Sequence, residues 1–209
     1  PILLLFAMRF KNYFPFLFCI VFVNANIFGQ SVRQAENNAM IRFTENKNQW
    51  DGRVLYRAQL DGGSLYIEKN CFTYNFYDKN ALIEEHNNRA HSKRVSSHAF
   101  RMTFLNALST TNVESKNPTS DYCNYFIGKD ESKWAGHVKN YRDLKYLELY
   151  PHINLEIEGL QNSLKYNFVV APLGNVDDIQ LAFEGLDNIS LEKGTLRLKT
   201  RVNEITEHS

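Results

Sequence analysis

An all-β fold, an antiparallel β-sandwich built from hairpins with little helix, is what this sequence predicts, on three observations. Apolar and polar residues alternate over many short runs. Those runs are separated by turn residues at hairpin spacing, and no segment of helical period is long enough to span a sheet. The 209 residues suffice for one domain with a lead segment, and a core burying about 70% of the unfolded surface.

The lead segment comes first. Met8 is followed by Arg9 and Lys11, by a mainly apolar run from Tyr13 to Val23, and by the smaller and more polar residues 24–30. That is the order of a secretory signal peptide, with cleavage after Ala25 or Gly29, and the residues before Met8 read as sequence ahead of the true start. The run is too short for a membrane span and contains Pro15, so no span is expected after cleavage. The chain is therefore divided into upstream residues plus leader (1–29), a flexible polar lead (30–39) and a sandwich module (40–209). Export follows, to the extracellular space or the cell surface. Removing the leader leaves 22 basic against 23 acidic residues, interspersed in sequence, which lacks the basic footprint of a nucleic-acid binder. Cys71 and Cys123 remain, and the sequence leaves open whether they form a disulfide or stay as thiols.

Within the module, 54–60 and 64–68 flank Asp61-Gly62-Gly63, whose glycines suit a tight hairpin. A turn at Lys69-Asn70 then places Ile67 opposite Phe72 and Leu65 opposite Tyr74, with Phe76 on the same face. Residues 78–97 lose the period and read as a surface loop, and Phe100, Met102 and Phe104 restore it. The polar stretch 106–120, which includes Pro118, is expected to link elements outside the core, with a short helical turn near 131–135. The clearest element spans 146–170. There Ile153, Leu155 and Ile157 alternate with Asn154, Glu156 and Glu158, and Leu164, Tyr166, Phe168 and Val170 resume the pattern. A loop at 159–162 sets Ile157 opposite Leu164, Leu155 opposite Tyr166, and Glu156 opposite Lys165. Ile179, Leu181 and Phe183 begin another strand, and a turn at Lys193-Gly194 pairs Leu191 with Leu196 and Ile189 with Leu198. Nine or ten strands result, and a last one near 202–205 with nothing after Ser209 to cap it suggests a fragment of a longer protein.

Several groups of residues resemble a known family. Glu45-Asn46-Lys47-x-Gln49-Trp50, Asn124-Tyr125-Phe126-x-Gly128 with Trp134, Leu149-Tyr150-Pro151-x-Ile153, and Leu164-Lys165-Tyr166-x-Phe168-x-Val170-x-Pro172 are similar to an N-terminal domain of unknown function. That domain occurs in secreted Bacteroidetes proteins, ahead of SBBP propeller repeats, PKD-type domains and a C-terminal sorting domain of type IX secretion. The resemblance spans roughly residues 41–200. It implies export and downstream domains of the same polypeptide as partners, and no reaction. His152 stands where that family usually has glycine, and Asn154 where it usually has aspartate.

Each candidate site has a plainer reading. Glu156 and Glu158 are a carboxylate pair, but the expected hairpin makes Glu156 a cross-strand partner of Lys165. His86, His91 and His98, with Glu84 and Glu85, match no tight metal-ligand spacing, and Asp177-Asp178 reads as a turn before a strand rather than a calcium loop. No nucleophile motif or phosphate loop is present. No catalytic residue, metal or cofactor is assigned. Trp50 and Trp134, in irregular segments, are the candidate ligand-binding residues. The expected function is a non-catalytic structural or interaction module whose partner is a surface protein or glycan; the alternative is a carbohydrate-binding or carbohydrate-processing sandwich.

Overall fold

The computed structural model describes residues 18–24, 40–81, 83 and 95–208. Fourteen strands occur among them: β1 (Phe18–Asn24), β2 (Phe43–Glu45), β3 (Tyr56–Leu60), β4 (Gly63–Ile67), β5 (Cys71–Tyr77), β6 (Ser97–Phe104), β7 (Asn112–Tyr125), β8 (Ala135–Tyr150), β9 (Ile153–Gly159), β10 (Leu164–Val170), β11 (Leu181–Glu184), β12 (Asn188–Glu192), β13 (Thr195–Lys199) and β14 (Glu204–His208). All pairings are antiparallel. The order β11-β6-β5-β4-β3-β2-β8-β9-β10, with β7 alongside β8, makes one large sheet, and β14-β13-β12 makes a small one. Strand β1, from the segment read as the leader, lies between β10 and β14.

The long strand β8 organises the large sheet. Tyr141 pairs with both Phe43 and Pro118, and Tyr146 with both Val113 and Leu155. Since β7 runs along one edge of β8, β2 and β9 must share the other edge, β2 on its first half and β9 on its second. Two sheet halves therefore leave β8 side by side and close over each other. In a flat sheet β5 and β8, four strand steps apart, would be separated by about 19 Å. Instead the Phe72 and Phe104 rings stand 6.2 and 5.9 Å from the Tyr146 ring, and the Tyr146 hydroxyl donates to the Glu68 carbonyl at 2.6 Å. Phe43, Leu65, Ile67, Met102, Leu144 and Leu155 join the same buried cluster, which extends to Leu198 and Ile205 of the small sheet.

Most of the expected hairpins form in the expected register. Ile67 pairs with Phe72, Leu65 with Tyr74, Leu191 with Leu196, and Ile189 with Leu198. Gly62 takes a φ of +76° in the two-residue turn after Leu60, a conformation glycine adopts without strain. Phe100, Met102 and Phe104 are all buried, as the alternation predicts.

The central hairpin differs from expectation. Its faces are as read, but Tyr166 pairs with Ile157, Phe168 with Leu155 and Leu164 with Gly159, so Gly159 belongs to the strand and the loop is 160–163. The reason lies in the β2–β9 junction. A Cβ on Gly159 would sit 2.0 Å from the Ile41 carbonyl oxygen, so only glycine lets the two segments meet there. Glu156 consequently faces Asn167, and its ion pair is with Lys145 of β8 at 2.8 Å rather than with Lys165.

The stretch 106–120 also departs from the loop reading. Most of it is strand β7, whose side chains are largely exposed, so it lies outside the core but inside the sheet. The turn at 131–133 is a 3₁₀ turn capped by Asp130. Of the 78–97 segment, Asp78 caps a helical turn through the Asn80 and Ala81 N–H groups, while 82 and 84–94, including His86 and His91, lie outside the described residues, as does 30–39. Cys71 and Cys123 are free thiols, and Cys71 is buried.

Candidate binding groove beside Trp50

The segment after β2 is held by its own polar side chains. The Asn46 amide donates to the Asp51 and Val54 carbonyls and accepts from the Asn48 and Trp50 N–H groups. Gln49 accepts from the Lys47 N–H and donates to the Glu45 carbonyl. The loop is then tied to the β7–β8 hairpin: Lys47 Nζ reaches the His137 carbonyl at 2.8 Å, Asn48 Nδ2 the Ser132 carbonyl at 2.6 Å, and Glu45 Oε1 accepts the Lys139 N–H at 2.9 Å. On the hairpin, Asn124 Oδ1 accepts the His137 N–H, and Trp134 Nε1 donates to the Gly128 carbonyl. Motif residues far apart in sequence thus meet at one end of the molecule.

Trp50, half-buried, packs edge-on against Tyr125 with ring centroids 5.4 Å apart. The Arg57 guanidinium lies 5.8 Å from the Trp50 centroid and 5.8 Å from the Tyr66 centroid, and donates to Ser64 Oγ and Gln59 Oε1. Among the described residues no carboxylate forms an ion pair with Arg57. Arg57 and Tyr125 line a cavity of about 510 Å³ together with Arg42, Thr44, Asp121 and Asn140. Those four are mutually bonded: Arg42 pairs with Asp121, Thr44 donates to Asn140 at 2.7 Å, and Asn140 donates to Asp121 at 3.2 Å. Hydrogen bonding from Thr119, and then the Arg42 charge, hold the Asp121 carboxyl below the usual aspartate range.

Trp134 sits elsewhere on the hairpin. It is 41% exposed and packs edge-on against Phe126, 61% exposed, beside Ile127, 77% exposed. Tyr122 stacks on His137 with centroids 4.3 Å apart. The two indoles contact successive residues, Tyr125 and Phe126, and do not join in one ring platform. Trp50 packs against two residues of the cavity wall, Arg57 and Tyr125, without lining the cavity itself, and Trp134 belongs to an exposed apolar strip.

The other candidates resolve into structural roles. His98 is buried, its Nε2 bonded to the Gly185 carbonyl and its Nδ1 accepting the Arg201 N–H, so it ties β6 to the small sheet. Asn175 caps a 3₁₀ turn at 176–178 and bonds Asp178. Among the described residues no three His, Cys, Asp or Glu side chains group as metal ligands would. His152 adopts φ +60°, which accounts for a glycine preference at that turn, and Asn154 Oδ1 accepts the Glu148 N–H at 2.8 Å, a role that an aspartate fills equally.

Residues 43–209 match the family described as a domain of unknown function, DUF7948. The chain belongs to this family. No curated protein and no solved structure matches it. The DUF7948 match covers every strand from β2 to β14 and both indoles, and β1 lies outside it. Arg42, Arg57, Asp121 and Asn140, which sequence reading did not single out, come from separate segments. The only sequence signal for Arg57 and Gln59 is their place at alternate positions of β3.

Proposed function

We propose that this DUF7948 domain is a non-catalytic interaction module of an exported multidomain protein, displayed at the cell surface or released, in the Bacteroidetes and type IX secretion setting that its motifs suggest. The observation carrying this reading is the apolar strip of Tyr122, Phe126, Ile127 and Trp134, held in solvent at the end of the β7–β8 hairpin, where side chains of this kind mark recognition surfaces. Its support is rigid: the 45–54 loop braces the hairpin through three hydrogen bonds. Phe126→Ser with Ile127→Ser is expected to abolish capture of the module by the producing cell's surface while leaving the circular dichroism spectrum unchanged. Equal capture of both proteins refutes this reading.

A second reading, carbohydrate binding, is favoured by the cavity that Arg57 and Tyr125 line, where Arg57 offers a donor and Tyr125 a ring, with Trp50 packed against both. A glycan array and polysaccharide pull-down, with Trp50→Ala and Trp134→Ala alongside, tests it. Binding lost only in folded Trp50→Ala supports the cavity, and absence of binding by the folded parent refutes it.

A further inference from the structure

We infer that the space between β10 and β14 is a strand-accepting slot, which takes an extended polypeptide strand from a partner once residues 18–24 are removed. Export removes that segment under the proposed function, so the biological consequence rests on that reading; the slot itself does not.

Both walls of the slot belong to the DUF7948 domain and its present occupant does not, since the family match starts at residue 43. The occupant β1 pairs with β10 at six positions, from Phe18↔Val169 to Val23↔Leu164, and with β14 at three, from Phe22↔His208 to Asn24↔Thr206. It is the only connection by backbone pairing between the large and small sheets among the described residues. The walls are also held one strand apart without it. Tyr166 of β10 donates its hydroxyl to Glu207 of β14 at 2.6 Å, and both residues are buried. His98 joins β6 to the small sheet independently. Removing β1 therefore exposes the edges of β10 and β14, which face each other one strand's width apart at the Phe22 and Val23 positions, too far for direct pairing, while the β10 edge continues alone along the rest of the slot. Such paired edges are what strand addition requires, the main-chain bonds supplying affinity and the alternate side chains selectivity.

The walls also define the partner. Leu164, Tyr166 and Phe168 are the buried positions of β10, and Val23, Val21 and Cys19 stand opposite them in register. The incoming strand must run antiparallel to both walls and carry small or medium apolar residues at three alternate positions. A carboxylate at the middle position would be placed opposite Tyr166, which is buried and has its hydroxyl already bonded to Glu207, and is excluded by the cost of burying an unpaired charge.

The test uses the full chain, produced without export so that the leader is retained, with a specific protease site placed within residues 30–37. The probe is a labelled peptide of residues 18–24 flanked by lysines. Amide hydrogen exchange is followed over β10 and β14. The expected result is that the intact chain excludes the peptide, while the cleaved chain, stripped of its leader, exchanges at least about tenfold faster at the two walls and recovers protection on binding the peptide. A peptide carrying Val21→Asp is expected not to bind. Unchanged wall protection after stripping, equal peptide binding to intact and cleaved chains, or equal binding of the Val21→Asp peptide overturns the slot. The mass of the chain recovered outside the producing cell tests export separately: a retained leader refutes the export reading and leaves the peptide result to stand by itself.

Discussion

Replacing Glu207 by glutamine is expected to remove most of the pH dependence of this domain's stability between about pH 4.5 and 7. Glu207 is fully buried, and burial pushes its carboxyl up from the usual 4.5 to about 7, with the Tyr166 hydroxyl opposing part of that rise. Tyr74 and Tyr166, the groups beside it, have phenols raised above their usual range by the same burial and stay neutral throughout this window. Because the folded-state value is the higher one, the folded protein holds a proton that the unfolded chain has released. The contribution is complete below 4.5 and is lost as pH rises through about 7. From 4.5 to about 7, at ~1.4 kcal/mol for each pH unit, it amounts to about 3 kcal/mol. Glu207→Gln keeps a neutral side chain of the same size at every pH. Urea unfolding at a series of pH values is the assay: parent and variant are expected to agree near pH 4.5, and at pH 8 the variant is expected to unfold at a midpoint roughly 1 M higher. Parallel pH profiles for the two proteins refute the reasoning.

Three further expectations follow from single contacts. Gly159→Ala places a methyl group 2.0 Å from the Ile41 carbonyl oxygen, and is expected to cost at least about 3 kcal/mol in urea unfolding. His152→Gly relieves a non-glycine φ of +60° at the Tyr150–Ile153 turn, and is expected to raise stability by up to about 1 kcal/mol, read as a higher melting temperature. Burial pushes the Cys71 thiol up to about 11, so at pH 8 it is expected to react with iodoacetamide far more slowly than Cys123, with mass spectrometry reporting each site.

The strands that a two-residue period can announce were legible. In β4, β5 and β6 the alternate apolar residues are buried, so alternation fixed the face, and for β4–β5 the register too, while in β12–β13 the Lys193-Gly194 turn set the register although β12 is largely exposed. The central hairpin was legible in face but not in partner. Gly159 looks like loop chemistry in one dimension, and the Ile41 carbonyl that demands it lies 118 positions earlier in the chain. Strand β7 was missed because much of it faces water, leaving Asn112–Tyr125 without a sustained apolar period. The same limit applies to the groove. Trp50 was visible because tryptophan outside a strand invites a question. Arg57 and Asn140 were not, because each is an ordinary wet-face residue until the sheet halves bring them to one cavity. Glu207 gave no signal, since only the small sheet's position against Tyr166 buries it.

The shortness of β2 has a mechanical consequence. Three rungs join it to β3 and two join it to β8, and these are the backbone pairings by which the β3–β6 layer is fastened to the β7–β10 layer. Phe43 and Tyr141, which face each other there, are separated by nearly a hundred residues of chain, so this seam closes late and cannot be rebuilt locally once parted. Tension entering ahead of Met40 loads the Met40–Gln161 bridge and the Ile41 N–H bond to the Leu160 carbonyl, and then those five rungs, before any of the hairpins. Under load the domain gives way at that seam, into two meanders that each keep their own short-range pairings.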